Sequence, residues 1–188
     1  MSAFHWTLSP CIYYNRSKAD YERKEKMAQR IIRQSGDEVL RRRAAAVGRI
    51  TPGIRVLLDD MAETMYAADG VGLAAPQVGI SKRLVVIDVR DEHGLLKLVN
   101  PEIVDKDGAV VAVEGCLSFP GVAGEVERAE TVTVKALDEE GRPVEITANG
   151  LLARAFQHEI DHLDGILFVD KVIRFVNEDE AEENNEDV

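Results

Sequence analysis

The sequence predicts an α+β fold, mostly antiparallel β-sheets packed around a central C-terminal helix that carries an H-E-x-x-H motif. Two observations predict it. Strand-like runs cluster in the middle of the chain, between Arg83 and Thr147, rather than alternating with helices. Segments with apolar residues at helical spacing flank that cluster on both sides, and no internal repeat or Gly/Pro-rich linker interrupts the chain.

In chain order, Thr51-Pro52 ahead of Ile54, Leu57, Leu58, Met61 and Met65 reads as an N-cap, a first-turn proline and an apolar stripe, giving a helix that ends near Asp69-Gly70. Arg83 to Arg90 is rich in β-branched residues; Asp91 to Gly94 then turns the chain into Leu95 to Val99, which makes a hairpin. Further strands are expected at Ile103-Val104, Val110 to Val113, Thr131 to Leu137 and Val144 to Thr147, with a turn over Asp138 to Arg142. The last helix runs from Leu151 to Asp164, with Gly165 as its C-terminal cap. At 100° per residue, Leu151, Leu152, Ala155, Phe156, His158, Glu159, His162 and Leu163 share one arc, and Arg154, Gln157, Asp161 and Asp164 lie opposite.

The 188 residues supply one sizeable core, and the expected organisation is an N-terminal arm over 1–26, a catalytic domain over 27–176 and an acidic tail over 177–188. The formal charge is −11; Glu178, Asp179, Glu180, Glu182, Glu183, Glu186 and Asp187 account for seven negatives, and without them it is −4. Neither value, nor the absence of a dense basic stripe, suits binding to a phosphate backbone, so no direct nucleic-acid partner is expected. Two cysteines, Cys11 and Cys116, do not make a disulfide framework and point to a reducing compartment. No apolar run approaches the roughly 20 residues that cross a bilayer, and the first residues lack a signal-peptide apolar region. A soluble cytoplasmic protein is expected.

The chemistry concentrates in the last helix. Burying a carboxylate and two imidazoles on an apolar face costs several kcal/mol unless something pairs with them, and a cation is the economical partner. Histidines at i and i+4 converge on one metal, with the intervening glutamate placed for proton transfer, so His158 and His162 are candidate ligands and Glu159 the candidate acid–base group. A catalytic site of this type needs a third protein ligand. Cys116, in Glu114-Gly115-Cys116-Leu117-Ser118 at the end of a predicted strand, is the leading candidate, although a single mid-chain cysteine on its own is more often a small buried hydrophobe. Cys11 and His5 in the arm and His93 in the hairpin turn are given no role. Gly70 to Gln77 lacks a preceding strand and carries Pro76 where a nucleotide-binding helix would run, so it reads as a helix cap and turn whose glycines let backbone approach a ligand. The Gln77 amide is a candidate donor to a developing oxyanion.

Gly70 to Gln77, Glu114 to Ser118 and Gln157 to Gly165, in this order, closely resemble the three signature segments of the peptide deformylases, and the likeness extends over roughly Ile31 to Val172. That resemblance implies a metal-dependent hydrolase that removes the formyl group from the N-terminal formylmethionine of new polypeptides and releases formate. It implies Cys116, His158 and His162 as ligands of one divalent metal, Fe2+ in the cell with Zn2+, Ni2+ or Co2+ as substitutes. Glu159 takes a proton from the attacking water and passes it to the leaving amine, and the metal, the Gln77 amide and the Leu117 N–H share the charge of the tetrahedral intermediate. The peptide is bound as an added strand, with Val71, Gly72, Glu114 and Gly115 at the matching positions. Leu151 and Ala155 fall beside the ligands on the helix wheel, where they line a pocket for the methionine side chain. Partners are N-formylmethionyl peptides and nascent chains, with transient proximity to the ribosome; the seven acids among the last twelve residues argue against docking there through that end. A general metallopeptidase shares the helix motif, but Cys116 and Gln77 count against it. A closed structural zinc anchor lacks a fourth ligand and leaves Glu159 unexplained.

Overall fold

The computed structural model describes residues 28–177, so the predicted arm, with His5 and Cys11, and the tail beyond Asn177 lie outside the described residues. The fold is α+β. Helix α1 (Pro52–Ala67) begins at Thr51, whose hydroxyl accepts the Ile54 N–H. Helix α2 (Gly150–Leu163) carries the H-E-x-x-H motif. Among the described residues the strands are β1 (Gly72–Ala74), β2 (Leu84–Ile87), β3 (Leu96–Asp107), β4 (Val110–Cys116), β5 (Phe119–Arg128), β6 (Thr131–Leu137), β7 (Pro143–Asn149) and β8 (Val172–Val176). They form an antiparallel five-stranded sheet in the order β1-β2-β3-β6-β7 and an antiparallel three-stranded sheet in the order β4-β5-β8.

The run Leu84-Val85-Val86-Ile87 is continuously apolar because β2 is covered on both faces. Leu84 and Val86 pack with Leu58, Met61 and Met65 of α1. Val85 and Ile87 pack with Phe156, Ile160 and Leu163 of α2, together with Val132 and Val134 of β6. Each helix therefore meets a different face of the same sheet.

Three sequence expectations change. The predicted strands Leu95–Val99 and Ile103-Val104 merge into one strand, β3, which begins at Leu96 and whose pairing with β6 shifts register between Val99 and Glu102. The irregularity falls on Pro101, which lacks an N–H for the ladder, and on Asn100, at φ 53°, and it breaks the alternation that marks a single strand. Gly70–Gln77 is more than a cap and turn: Gly72–Ala74 pairs with β2 before a 3-10 turn at Ala75–Val78. Phe119–Arg128, unassigned from sequence, is the long strand β5, obscured by Pro120 and by Gly121 and Gly124.

The helix wheel is also corrected. Gln157, expected on the polar side, is buried, as are Ala153 and Ile160, whereas Leu151 is exposed and Arg154, His158 and Asp161 are half-buried. An amphipathic division assumes one wet side and one dry side, but α2 is enclosed over most of its circumference and open only along the 151–154–158–161 stripe. Gln157 satisfies its amide locally: it accepts the Ala129 N–H and donates to the Ala129 and Ala153 carbonyls.

Candidate active site

The free edge of β1 and the free edge of β4 face a cavity of about 440 Å³, floored by the stripe of α2 just described. Val71, Gly72, Gln77, Glu114, Gly115, Cys116, Leu117, Leu151, Ala155, His158 and Glu159 all line it, so eleven of the twelve residues singled out from sequence meet at one place. The twelfth, His162, is buried one turn beyond His158, and the two rings lie 5.0 Å apart, edge to face.

Each element aims its residue for a local reason. Cys116 ends β4 after a register shift between Gly115 and Cys116, which breaks the alternation and turns the thiol toward the helix. Helical i, i+4 spacing stacks His158 and His162. Gly165, at φ 75°, closes the helix in a Schellman arrangement, with the Gly165 N–H on the His162 carbonyl and the Ile166 N–H on Asp161. Gln77 is fixed because its Oε1 accepts the Ala74 N–H at 2.8 Å, which leaves Nε2 facing Ser118 Oγ at 3.2 Å and Cys116 Sγ at 3.5 Å. Leu117 occupies the turn between β4 and β5; its carbonyl accepts from the Gln34 side chain. Val71 is exposed at the rim, with its carbonyl accepting the Asp88 N–H.

The donor atoms of Cys116, His158 and His162 lie within 4.8 Å of one another. Cys116 Sγ is 3.3 Å from His162 Nε2, near the separation of about 3.6 Å expected for a sulfur and a nitrogen on one tetrahedral ion. His158 Nδ1 is taken by Glu114 Oε2 at 3.1 Å, which leaves its Nε2 for a ligand. Glu159 is buried, and among the described residues its Oε2 has no protein partner, nor has His162 Nδ1, the ring nitrogen opposite the one that faces Cys116. Burial without a partner is costly, and for the Glu159 carboxylate a cation with its bound solvent is the chemistry that resolves it. The residues present therefore fit one metal ion. A second cluster, Asp91, Glu92 and His93, lies on the exposed hairpin turn, and there the imidazole contacts Asp91.

The electrostatics follow from burial. Burial drives the Glu159 carboxyl up to about 7, against the opposing pull of His158. Burial disfavours charge on His158, yet its bonds to Cys116 and Glu114 prevail and raise it to about 10, while burial and the neighbouring His158 hold His162 well below its ordinary value. Glu114 is also opposed by burial but is pulled down to about 2 by His158 and Arg128. Arg128, almost fully buried, grips both oxygens of Glu114 at 2.9 Å and also binds Asp161.

Sequence reasoning missed Arg128, Ser118, Gln157 and Arg154. Arg128 lies in Glu127-Arg128-Ala129-Glu130, where a run of alternating charge signals a solvated face; only the three-dimensional pairing shows otherwise. Arg154 lines the cavity on the stripe shared with His158.

The chain has clear relatives. The sequence profile described as polypeptide deformylase matches residues 29–178. A peptide deformylase of Acetivibrio thermocellus is 61% identical over 160 residues, 85% of this chain and 93% of the relative. Among solved structures, a peptide deformylase from Thermotoga maritima superposes with a TM-score of 0.74 at 47% identity, covering 77% of this chain and 97% of that one. A Met-Ala-Ser-bound class I type b peptide deformylase from Acinetobacter baumannii gives a TM-score of 0.74 at 39% identity, covering 78% and 99%. With a family match over most of its length, and with the three signature segments converging on one cavity, this chain belongs to the polypeptide deformylase family.

Proposed function

We propose that the cavity between β1 and β4 hydrolyses the N-formyl group of formylmethionyl peptides with Cys116, His158 and His162 as ligands of one divalent metal and Glu159 as the proton carrier. The carrying observation is the convergence of one thiol and two imidazoles within 4.8 Å beside a buried carboxylate whose Oε2 no group among the described residues satisfies. A metal held there supplies Lewis acidity, lowering the pKa of water and polarising the formyl carbonyl. A mixed thiolate and imidazole set suits Fe2+, and also Zn2+, Ni2+ or Co2+.

Glu159, on the cavity floor, takes the proton that the attacking water loses and returns it to the amine as the C–N bond breaks, so formate and a free N-terminus leave together. Gln77 Nε2, fixed from behind by Ala74, and the Leu117 N–H donate to the oxygen on which negative charge develops. The substrate backbone adds as a strand in the gap between two sheet edges that pair with no other strand among the described residues, at Val71-Gly72 on one side and Glu114-Gly115 on the other. A solved relative holds Met-Ala-Ser, a peptide of the expected length and first residue. Leu151 and Ala155 wall the pocket for the methionine side chain, next to the ligand His158 on the same stripe.

We take α2 as the central element of a catalytic domain spanning 27–176, flanked by the 1–26 arm and the 177–188 tail. Nascent chains as substrate imply a cytoplasmic enzyme working transiently near the ribosome. No helix among the described residues is long and apolar enough to cross a membrane.

The test is formate release from a formyl-Met-Ala-Ser peptide by anaerobically purified, iron-loaded protein beside its Glu159→Ala variant. Release by the parent and its loss in the variant are expected. A folded, metal-loaded parent that releases no formate refutes the assignment.

A further inference from the structure

Arg154 is the only lysine or arginine among the described residues lining the cavity, and nothing in the proposed chemistry uses it. The other charged groups there have tasks: Glu114 is held by Arg128 and His158, and Glu159 is the proton carrier. Among the described residues Arg154 makes no hydrogen bond or ion pair. The cavity that it lines is also walled by apolar side chains, among them Leu151 and Ala155 of its own helix and Val113, Val122 and Val176 from the three-stranded sheet. A half-buried arginine that lines a largely apolar cavity and has no anion among the described residues is a site awaiting one.

The geometry also says where on the peptide that anion belongs. Arg154 lies between Leu151 and Ala155 in the helix and one turn before His158, so it stands beside the pocket for the first side chain, and its own long side chain has to span to the next group on that face. In an extended peptide, side chains alternate: if the first faces Leu151 and Ala155, the second points away and the third returns to the same face, about 6.6 Å further on. Resting on the deformylase reading, we propose that Arg154 is a specificity-determining residue that receives a carboxylate on the third residue of the formylated peptide.

The test compares formyl-Met-Ala-Glu-Ala-amide with its Gln and Lys counterparts. It measures kcat/KM for the parent, Arg154→Ala and Arg154→Glu proteins and, separately, calorimetric binding of the corresponding unformylated peptides. A partly exposed ion pair supports roughly a fivefold preference for Glu over Gln and a similar one for Gln over Lys, both shrinking at high salt. The preference should vanish in Arg154→Ala and invert in Arg154→Glu. A parent indifferent to the third residue, or an undiminished Glu preference in Arg154→Ala, overturns the proposal. So does a preference seen only for free-acid formyl-Met-Ala-Ala over its amide, because the selected group is then the terminal carboxylate. If no peptide releases formate, the deformylase reading fails, and the binding series still decides whether Arg154 selects an acid.

Discussion

Gly72→Ala is the substitution that most directly tests whether Glu159 works from the position seen. A Cβ built on Gly72 meets Glu159 Oε1 at 2.5 Å and both Cδ and Cγ at 2.9 Å, against the 3.4 Å at which ordinary contact begins. The carboxylate must retreat by about 0.9 Å, and because Cγ is crowded too, the whole side chain has to swing. The neighbour that gives way is a side chain rather than backbone, so the cost to folding is that of one off-rotamer side chain, about 1 kcal/mol. A misplacement of about 1 Å at a reacting group costs on the order of 100-fold in rate, near 2.8 kcal/mol of barrier. The expected outcome is therefore a protein with nearly parental thermal stability and metal content and about 1% of parental kcat/KM for formate release. In a Glu159→Ala background the same change should add little, since its target is gone. Parental turnover in Gly72→Ala, or an equal loss in both backgrounds, refutes the reasoning.

Other consequences are sharper in stability than in rate. Gly165→Ala places a Cβ 2.5 Å from the Arg41 carbonyl at a residue with φ 75°, so strain and backbone overlap combine to about 3 kcal/mol, read as a fall of roughly 10 °C in Tm; an unchanged Tm is incompatible with the cap described. Gln157→Leu strips three hydrogen bonds from a buried amide and leaves the Ala129 N–H and carbonyl unpaired, which should cost about 2 kcal/mol in denaturant unfolding; a neutral effect would mean that the Ala129 backbone finds other partners. Burial and the bond to Asp88 push the Tyr66 hydroxyl up to about 12, so its neutral form is favoured by the fold. That contribution is complete below pH 10 and lost as pH rises from about 10 to 12; tyrosinate absorbance should show a late phase that disappears in Tyr66→Phe.

Much of this site was legible because its chemistry sits in short, contiguous segments. Two histidines one turn apart with a glutamate between them need only a helix to become a chelate, and Thr51, Pro52 and Gly165 are strong enough local signals to place both helices within a residue or two. What was not legible depends on surroundings. Gly72–Ala74 is too short to show a strand period and is a strand because β2 lies beside it. Gln157 is buried because the turn between β5 and β6 brings the Ala129 backbone against α2, a fact that no property of residues 150–164 encodes.

Arg128 shows why the gap matters for function. It is buried with two carboxylates around it, and Asp161 also binds Lys171 at the surface. A buried ion cluster of this kind gains little or nothing in stability over apolar side chains of similar volume. What it does is mechanical. Glu114, clamped at both oxygens, presents Oε2 to His158 Nδ1 and so fixes the ring's tautomer and rotation, while Asp161 ties the same guanidinium to the helix that carries both histidines. The position of the His158 imidazole is thus set by β4, β5 and α2 together. A motif on one helix can announce that two histidines will meet, but the orientation they need comes from charges recruited across two other strands.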